Sequence, residues 1–249
     1  MKNTLISAAN KASAHLLKNY GKIKSVRTKD PDSYVTNVDI ETEKIIIQEI
    51  KKKFPTHNII SEERDLEDNK SEYTWYIDPL DGTHNYIHQF PLFGTSIALA
   101  KNNKITMGAI KLPYLDEFYF AQKRKGVLLN GKNIHVSSLA DAKKAFVVTD
   151  LTLRWNAEKK LAMFNKIKGR VYDMRGLGCA VVAFSLVARG SADALLTTHM
   201  FPWDMAAGAL IVEEAGGKVT DFKGNAWMPK GSNYIASNAK IHDSLVKML

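Results

Sequence analysis

An apolar strand that runs into two carboxylates constrains this chain more than any other feature. The stretch Trp75-Tyr76-Ile77-Asp78-Pro79-Leu80-Asp81-Gly82-Thr83 starts as a buried strand and ends in two nearby anions and a glycine turn. Like charges held close together in a low-dielectric pocket repel strongly or force one to take a proton, unless a cation sits between them. Hard oxygen ligands at this density suit Mg²⁺, or Mn²⁺, better than zinc. Gly82 and Thr83 stand at a helix start, where backbone N–H groups favour an anion such as phosphate.

With 249 residues the chain is long enough for one large domain or two lobes. A weak change of pattern near residue 140 divides it into an N-terminal α+β lobe, 1–139, and a C-terminal α/β lobe, 140–249. No apolar run has the length of a membrane helix. Asn10, Lys11, Ser13 and His15 interrupt any signal-peptide core. Cys179 is the single cysteine, which excludes an internal disulfide and fits a reducing cytoplasm. The net charge of +9 raises nucleic acid as a partner. Against that, the basic residues are scattered, and Lys51-Lys52-Lys53 reads as a helix C-terminus. Neither a membrane nor a nucleic-acid partner is expected.

Leu5, Ala9, Ala12 and Leu16 recur at helical spacing and predict an amphipathic first helix. A turn-rich segment, Thr28 to Ser33, precedes a second helix from about Ile40 to Phe54, with Thr36 and Asp39 as its capping box. Ile59-Ile60 reads as a strand delivering Ser61-Glu62-Glu63, and Arg64 to Glu72 as an acidic loop. Gly94–Ala100, Lys104–Leu112 and Glu117–Gln122 read as strands of a meander, and Asn130-Gly131 as a hairpin turn. Further on, strands are expected at Ala145–Thr149, Val171–Met174 and Ala192–Leu196. Helices are expected at Ala157–Ile167, Ala180–Ala188 and from Asp204 through Ala215 to the Gly216-Gly217 stop.

Glu62, Asp78, Asp81 and Asp204 all fall where one element meets the next, and such residues can converge on one crevice. Taken singly, each has a plain reading: a solvated loop acid at Glu62, a turn former at Asp78, helix-capping acids at Asp204 and Asp39. The Asp-Pro-Leu-Asp-Gly-Thr block shifts the balance. With Asn85-Tyr86 after it, this block resembles the signature of the inositol monophosphatase family. So does Trp203-Asp204-Met205-Ala206-Ala207-Gly208-Ala209 with Glu214-Ala215-Gly216-Gly217. Val35-Thr36-Asn37-Val38-Asp39 and Ser61-Glu62-Glu63 fit in the same order, so the resemblance spans roughly Lys29 to Asp221.

The resemblance implies an αβαβα layered sandwich, an antiparallel-sheet lobe followed by a mixed-sheet lobe, acting as a phosphomonoesterase on a small phosphorylated metabolite. Glu62, Asp78 and the Leu80 carbonyl would hold one Mg²⁺, and Asp78, Asp81 and Asp204 a second. A further, weaker ion would lie by Asp39. The catalytic set would be Thr83, Asp39 and Glu62, driving in-line attack by a metal-activated water. Gly82 and Thr83 would hydrogen-bond the phosphate, Gly178 and Ala180 would contact the alcohol part, and Asp81, Cys179, Thr197 and Asp204 would complete the substrate-binding set. A homodimer and lithium sensitivity are implied in the same way. Two other phosphatase chemistries fail on single positions. A nucleophilic Asp two residues before Asp81 is replaced by Pro79, and the Arg six residues after a nucleophilic Cys by Ser185.

The alcohol half departs from the pattern. Thr197 stands where many inositol-phosphate enzymes carry Glu, and Cys179 where Thr is frequent. Myo-inositol monophosphate leads as substrate, with fructose 1,6-bisphosphate and histidinol phosphate as alternatives, and a regulatory, RNA-associated binding protein as the alternative of another class. His84 and His88 have zinc-like spacing without a third ligand. Arg154 and Arg175 read as surface arginines rather than substrate contacts.

Overall fold

Residues 1–30, 33–150, 156–229 and 233–249 are described in the computed structural model. Helix α1 (Lys2–Asn19) buries Leu5, Ala8, Ala9, Ala12 and Leu16 along one face. A hairpin of β1 (Val26–Asp30) and β2 (Ser33–Thr36) leads into α2 (Asn37–Lys51). That helix starts three residues earlier than its apolar pattern suggests, because Thr36 is itself the cap. Its hydroxyl accepts from the Val38 and Asp39 N–H groups, while Asp39 Oδ2 accepts from the Thr36 N–H at 2.9 Å.

The first large sheet holds β3 (Asn58–Ser61), β4 (Arg64–Glu67), β5 (Tyr73–Asp81), β6 (Gly94–Lys101), β7 (Lys104–Leu112), β8 (Glu117–Gln122), β9 (Val127–Leu129) and β10 (Lys132–Asn133). Its order is β10-β9-β8-β7-β6-β5-β3-β4. The sheet is not wholly antiparallel, since β3 joins β5 in parallel and β4 returns along the edge. The expected acidic loop therefore begins as an edge strand, whose charged side chains suit an exposed border. Between β5 and β6 runs the short α3 (Thr83–Ile87).

The second sheet takes β11 (Phe146–Thr149), β12 (Asp173–Gly176), β13 (Ala194–Thr197), β14 (Gly217–Asp221) and β15 (Tyr234–Asn238) in the order β12-β11-β13-β15-β14. Parallel pairing of β12, β11 and β13 meets antiparallel pairing of β13, β15 and β14. The helices of this half are α4 (Ala157–Ile167), α5 (Ala180–Ala188), α6 (Pro202–Glu214) and α7 (His242–Met248). Strand alternation sorts the core into layers. Trp75 and Ile77 pack outward on α1 and α2, and Tyr76 inward with α5 and α6. Val148 faces the same helices from the second sheet, while Val147 faces α4 and α7. The result is the αβαβα sandwich. Among the described residues no helix is long and apolar enough to cross a membrane.

Candidate active site

Strand β5 carries Asp78 and Asp81 to its C-terminal end, where pairing with β6 shifts register. Gly82 then turns the chain at φ 83°, and a Cβ there would meet the Leu92 carbonyl at 2.8 Å and Cys179 at 3.2 Å. The turn aims Thr83 at Asp39, whose Oδ1 accepts from the Thr83 hydroxyl at 3.0 Å, with the Leu80 carbonyl an alternative acceptor at 3.0 Å. From the second half, α5 brings the Val181 N–H to Asp81 Oδ2 at 2.6 Å. Asp204 sits in the first turn of α6, its Oδ2 held by the Phe201 N–H at 2.9 Å. This is the capping geometry read as the plain alternative, yet the same carboxylate faces the cleft.

Glu62, Asp78, Asp81 and Asp204 line one cleft of about 410 Å³ together with the Leu80 carbonyl region, Gly82, Thr83, Gly178, Cys179 and Ala180. Asp39 lies behind Thr83 and is 1% exposed. Thr197 is the correction. It is fully buried, its hydroxyl closes on the backbone of His199, and it is not among the cleft-lining residues. His199, Met200 and Phe201 line the cleft instead. His84 and His88 stack at 6.3 Å, and only His84 reaches the cleft. Arg175 is exposed and pairs with Asp173 at 2.6 Å, away from the cleft lining. Arg154 lies outside the described residues.

The electrostatics are those of crowded anions. Burial, then Glu62, Asp81 and Asp204, push the Asp78 carboxyl well above its ordinary range. Glu62 is likewise raised by burial and by Glu63 and Asp204. Burial, with Asp81 next, lifts Asp204 to about 8. Asp81 is lifted by burial only to about 6, because the Val181 N–H favours its charged form. Among the described residues no three or more His, Cys, Asp or Glu side chains are gathered closely enough to hold a metal ion as they stand. The carboxylates lean instead on backbone donors and on Lys29, whose Nζ stands 3.8 Å from Glu62 and 3.2 Å from Glu63. The donor set nonetheless fits hard divalent ions. It is all oxygen, clustered, and too repulsive to stay ionised without a cation.

Several residues take part in the site in roles that the motifs alone do not assign. Glu43 on α2 accepts from the Glu63 N–H at 3.2 Å and Arg64 Nε at 2.9 Å, fixing the turn that presents Glu62. The Asn85 amide donates to the Leu92 and Leu177 carbonyls, both at 2.8 Å, and so ties the two halves of the cleft. Asp150 adds a further carboxylate to the lining. Two of these have a local signal: Glu43 as a buried acid on the apolar face of α2, and Asn85 as part of the block that follows Asp78.

A layered sandwich with this acidic, glycine-turned cleft defines a phosphatase acting on phosphoric monoesters. Within that class, the sequence profile of the inositol monophosphatase family matches residues 1–249, and the chain belongs to this metal-dependent family. An Aquifex aeolicus protein named fructose-1,6-bisphosphatase/inositol-1-monophosphatase is 38% identical over 238 residues, covering 94% of this chain and 89% of the relative. A Pseudomonas aeruginosa protein named Nus factor SuhB is 34% identical over 255 residues, covering 99% and 94%. The solved extragenic suppressor protein suhB of Bartonella henselae superposes with a TM-score of 0.95 at 33% identity, covering 99% of this chain and 97% of that one.

Proposed function

We propose that the chain hydrolyses the monophosphate of a small polyol, myo-inositol monophosphate foremost, with Mg²⁺ as its ion. The observation that carries this is the Gly82-Thr83 turn set into a cluster of mutually repelling carboxylates, with the Thr83 hydroxyl bonded to Asp39. Glu62, Asp78 and the Leu80 carbonyl would hold one ion, Asp78, Asp81 and Asp204 a second, and Asp39 would lie near a third. Bound Mg²⁺ would neutralise phosphoryl oxygens and lower the pKa of a water. The chain's own part is positioning. Thr83, donating to Asp39, offers its lone pairs to orient a water hydrogen. Gly82 lets the backbone approach the phosphate without a Cβ. Asn85 keeps the Gly178 side of the cleft in register with the β5 side.

The test is phosphate release with and without Mg²⁺ from myo-inositol 1-phosphate, fructose 1,6-bisphosphate and histidinol phosphate. A preference for the inositol ester supports the reading, and a preference for either other ester removes it. A regulatory role beside catalysis is the second reading, prompted by the Nus factor name of the P. aeruginosa relative and the +9 net charge. Retention of every clustered carboxylate speaks for catalysis, since a binding module gains nothing from their repulsion.

A further inference from the structure

The part of the cleft lined by Asp150, His199 and Phe201 has a chemistry of its own. Asp150 follows β11, and its carbonyl accepts from the Gly178 N–H at 2.8 Å, so its place is fixed beside the Gly178–Ala180 segment. Its carboxylate lies near enough to Asp81, Asp204 and His199 for its charge to act on all of them. Phe201, which lines the same cleft, presents a partly exposed ring, stacked on Trp203 at 5.0 Å and met edge-on by His199 at 4.8 Å. No Lys or Arg is among the described residues that line the cleft. A carboxylate accepts hydrogen bonds from hydroxyls but offers none to a phosphate. A flat ring packs well on the C–H face of a cyclic alcohol.

We infer that Asp150 is a specificity-determining residue, accepting hydroxyls of a neutral polyol beside the Phe201 ring and repelling esters that carry a second phosphate. The inference rests on the polyol-monophosphatase reading above and names the residue that enforces it. Among the described contacts, Asp150 Oδ1 accepts only from the neutral Thr149 hydroxyl, at 3.3 Å. A dianion facing such a carboxylate in a partly dehydrated cleft loses on the order of tenfold or more in kcat/KM.

The experiment measures kcat/KM for myo-inositol 1-phosphate and fructose 1,6-bisphosphate in saturating Mg²⁺, for the native chain, Asp150→Asn and Asp150→Glu. The native chain is expected to favour the monophosphate by about tenfold or more. Asp150→Asn should shrink that ratio by about fivefold or more, chiefly through a lower KM for the bisphosphate. Asp150→Glu, which keeps the charge, should keep most of the ratio. Added salt should narrow the ratio in the native chain and leave it nearly flat in Asp150→Asn. A ratio unchanged by Asp150→Asn, or an equal fall in kcat for both esters, overturns the role of Asp150 while leaving the polyol reading intact. Native preference for the bisphosphate overturns both.

Discussion

The Val181 N–H reaches across from α5 to Asp81 Oδ2 at 2.6 Å, so an acid on the first sheet is aimed by a helix of the second half. Asn at this position can still accept that N–H through its amide oxygen. Asp81→Asn should therefore fold normally, with a thermal midpoint close to the native one, yet lose roughly a hundredfold or more in kcat/KM. Near-normal turnover in this variant, measured by phosphate release, would remove Asp81 from the metal set.

Among the described residues, Thr83 is the cleft-lining hydroxyl that bonds to Asp39. Thr83→Ala should cost roughly 10²–10⁴ in kcat, the range for a lost proton-handling group. Thr83→Ser should recover most of it. A kinetic comparison in which Ser behaves like Ala would point to the methyl group, and to packing rather than to the hydroxyl.

Asp81 and Asp204 keep protons up to about 6 and about 8 when folded, against 3.8 for an ordinary Asp. The folded chain then binds more protons than the unfolded one between about pH 4 and pH 8, so stability falls as pH rises through that window. This is the reverse of an ion-paired Asp, whose stabilisation appears as pH rises. Cations that bind the ionised cluster should offset the loss. Melting with a chelator and with Mg²⁺ should show a larger Mg²⁺-induced gain at pH 8 than at pH 5. An equal gain at both would mean that the ion binds elsewhere.

Gly208 in α6 lies against Phe184 in α5, and an added Cβ would stand 2.4 Å from the Phe184 ring. Gly208→Ala should destabilise the chain by about 1–3 kcal/mol through overpacking. A urea midpoint equal to the native one would show that the two helices can separate freely. Because these helices carry Val181 and Asp204, apparent Mg²⁺ affinity should fall along with stability.

Much of this was legible because the signals are local. Thr36 and Asp39 sit three residues apart and announce a cap, and Asp78 to Thr83 is an unbroken block whose charges conflict with its apolar lead-in. What escaped depends on long-range contacts. Lys29 meets Glu62 and Glu63, Glu43 meets Arg64, and Asn85 meets Leu177, each pairing formed only by the sheet and helix order. Strands β14 and β15 and helix α7 have no comparable local signal beyond the Gly216-Gly217 stop, since their short runs gain definition only when β15 pairs with β13, β14 pairs with β15 and α7 packs on β15. Thr197 matched its expected position in sequence, but the strand buries it and hands the cleft to His199 and Phe201.

Asp204 follows β13, and β13 lies between β11 and β15 in the second sheet. Glu62, Asp78, Asp81 and Thr83 leave the ribosome before Asp204, and on the proposed metal set a chain still lacking Asp204 would be an incomplete hydrolase. With that proposed set needing Asp204, a nascent chain would stay silent toward phosphate esters until the later strands emerge and dock. Activity would then double as a certificate of assembly, issued only once both sheets are in place.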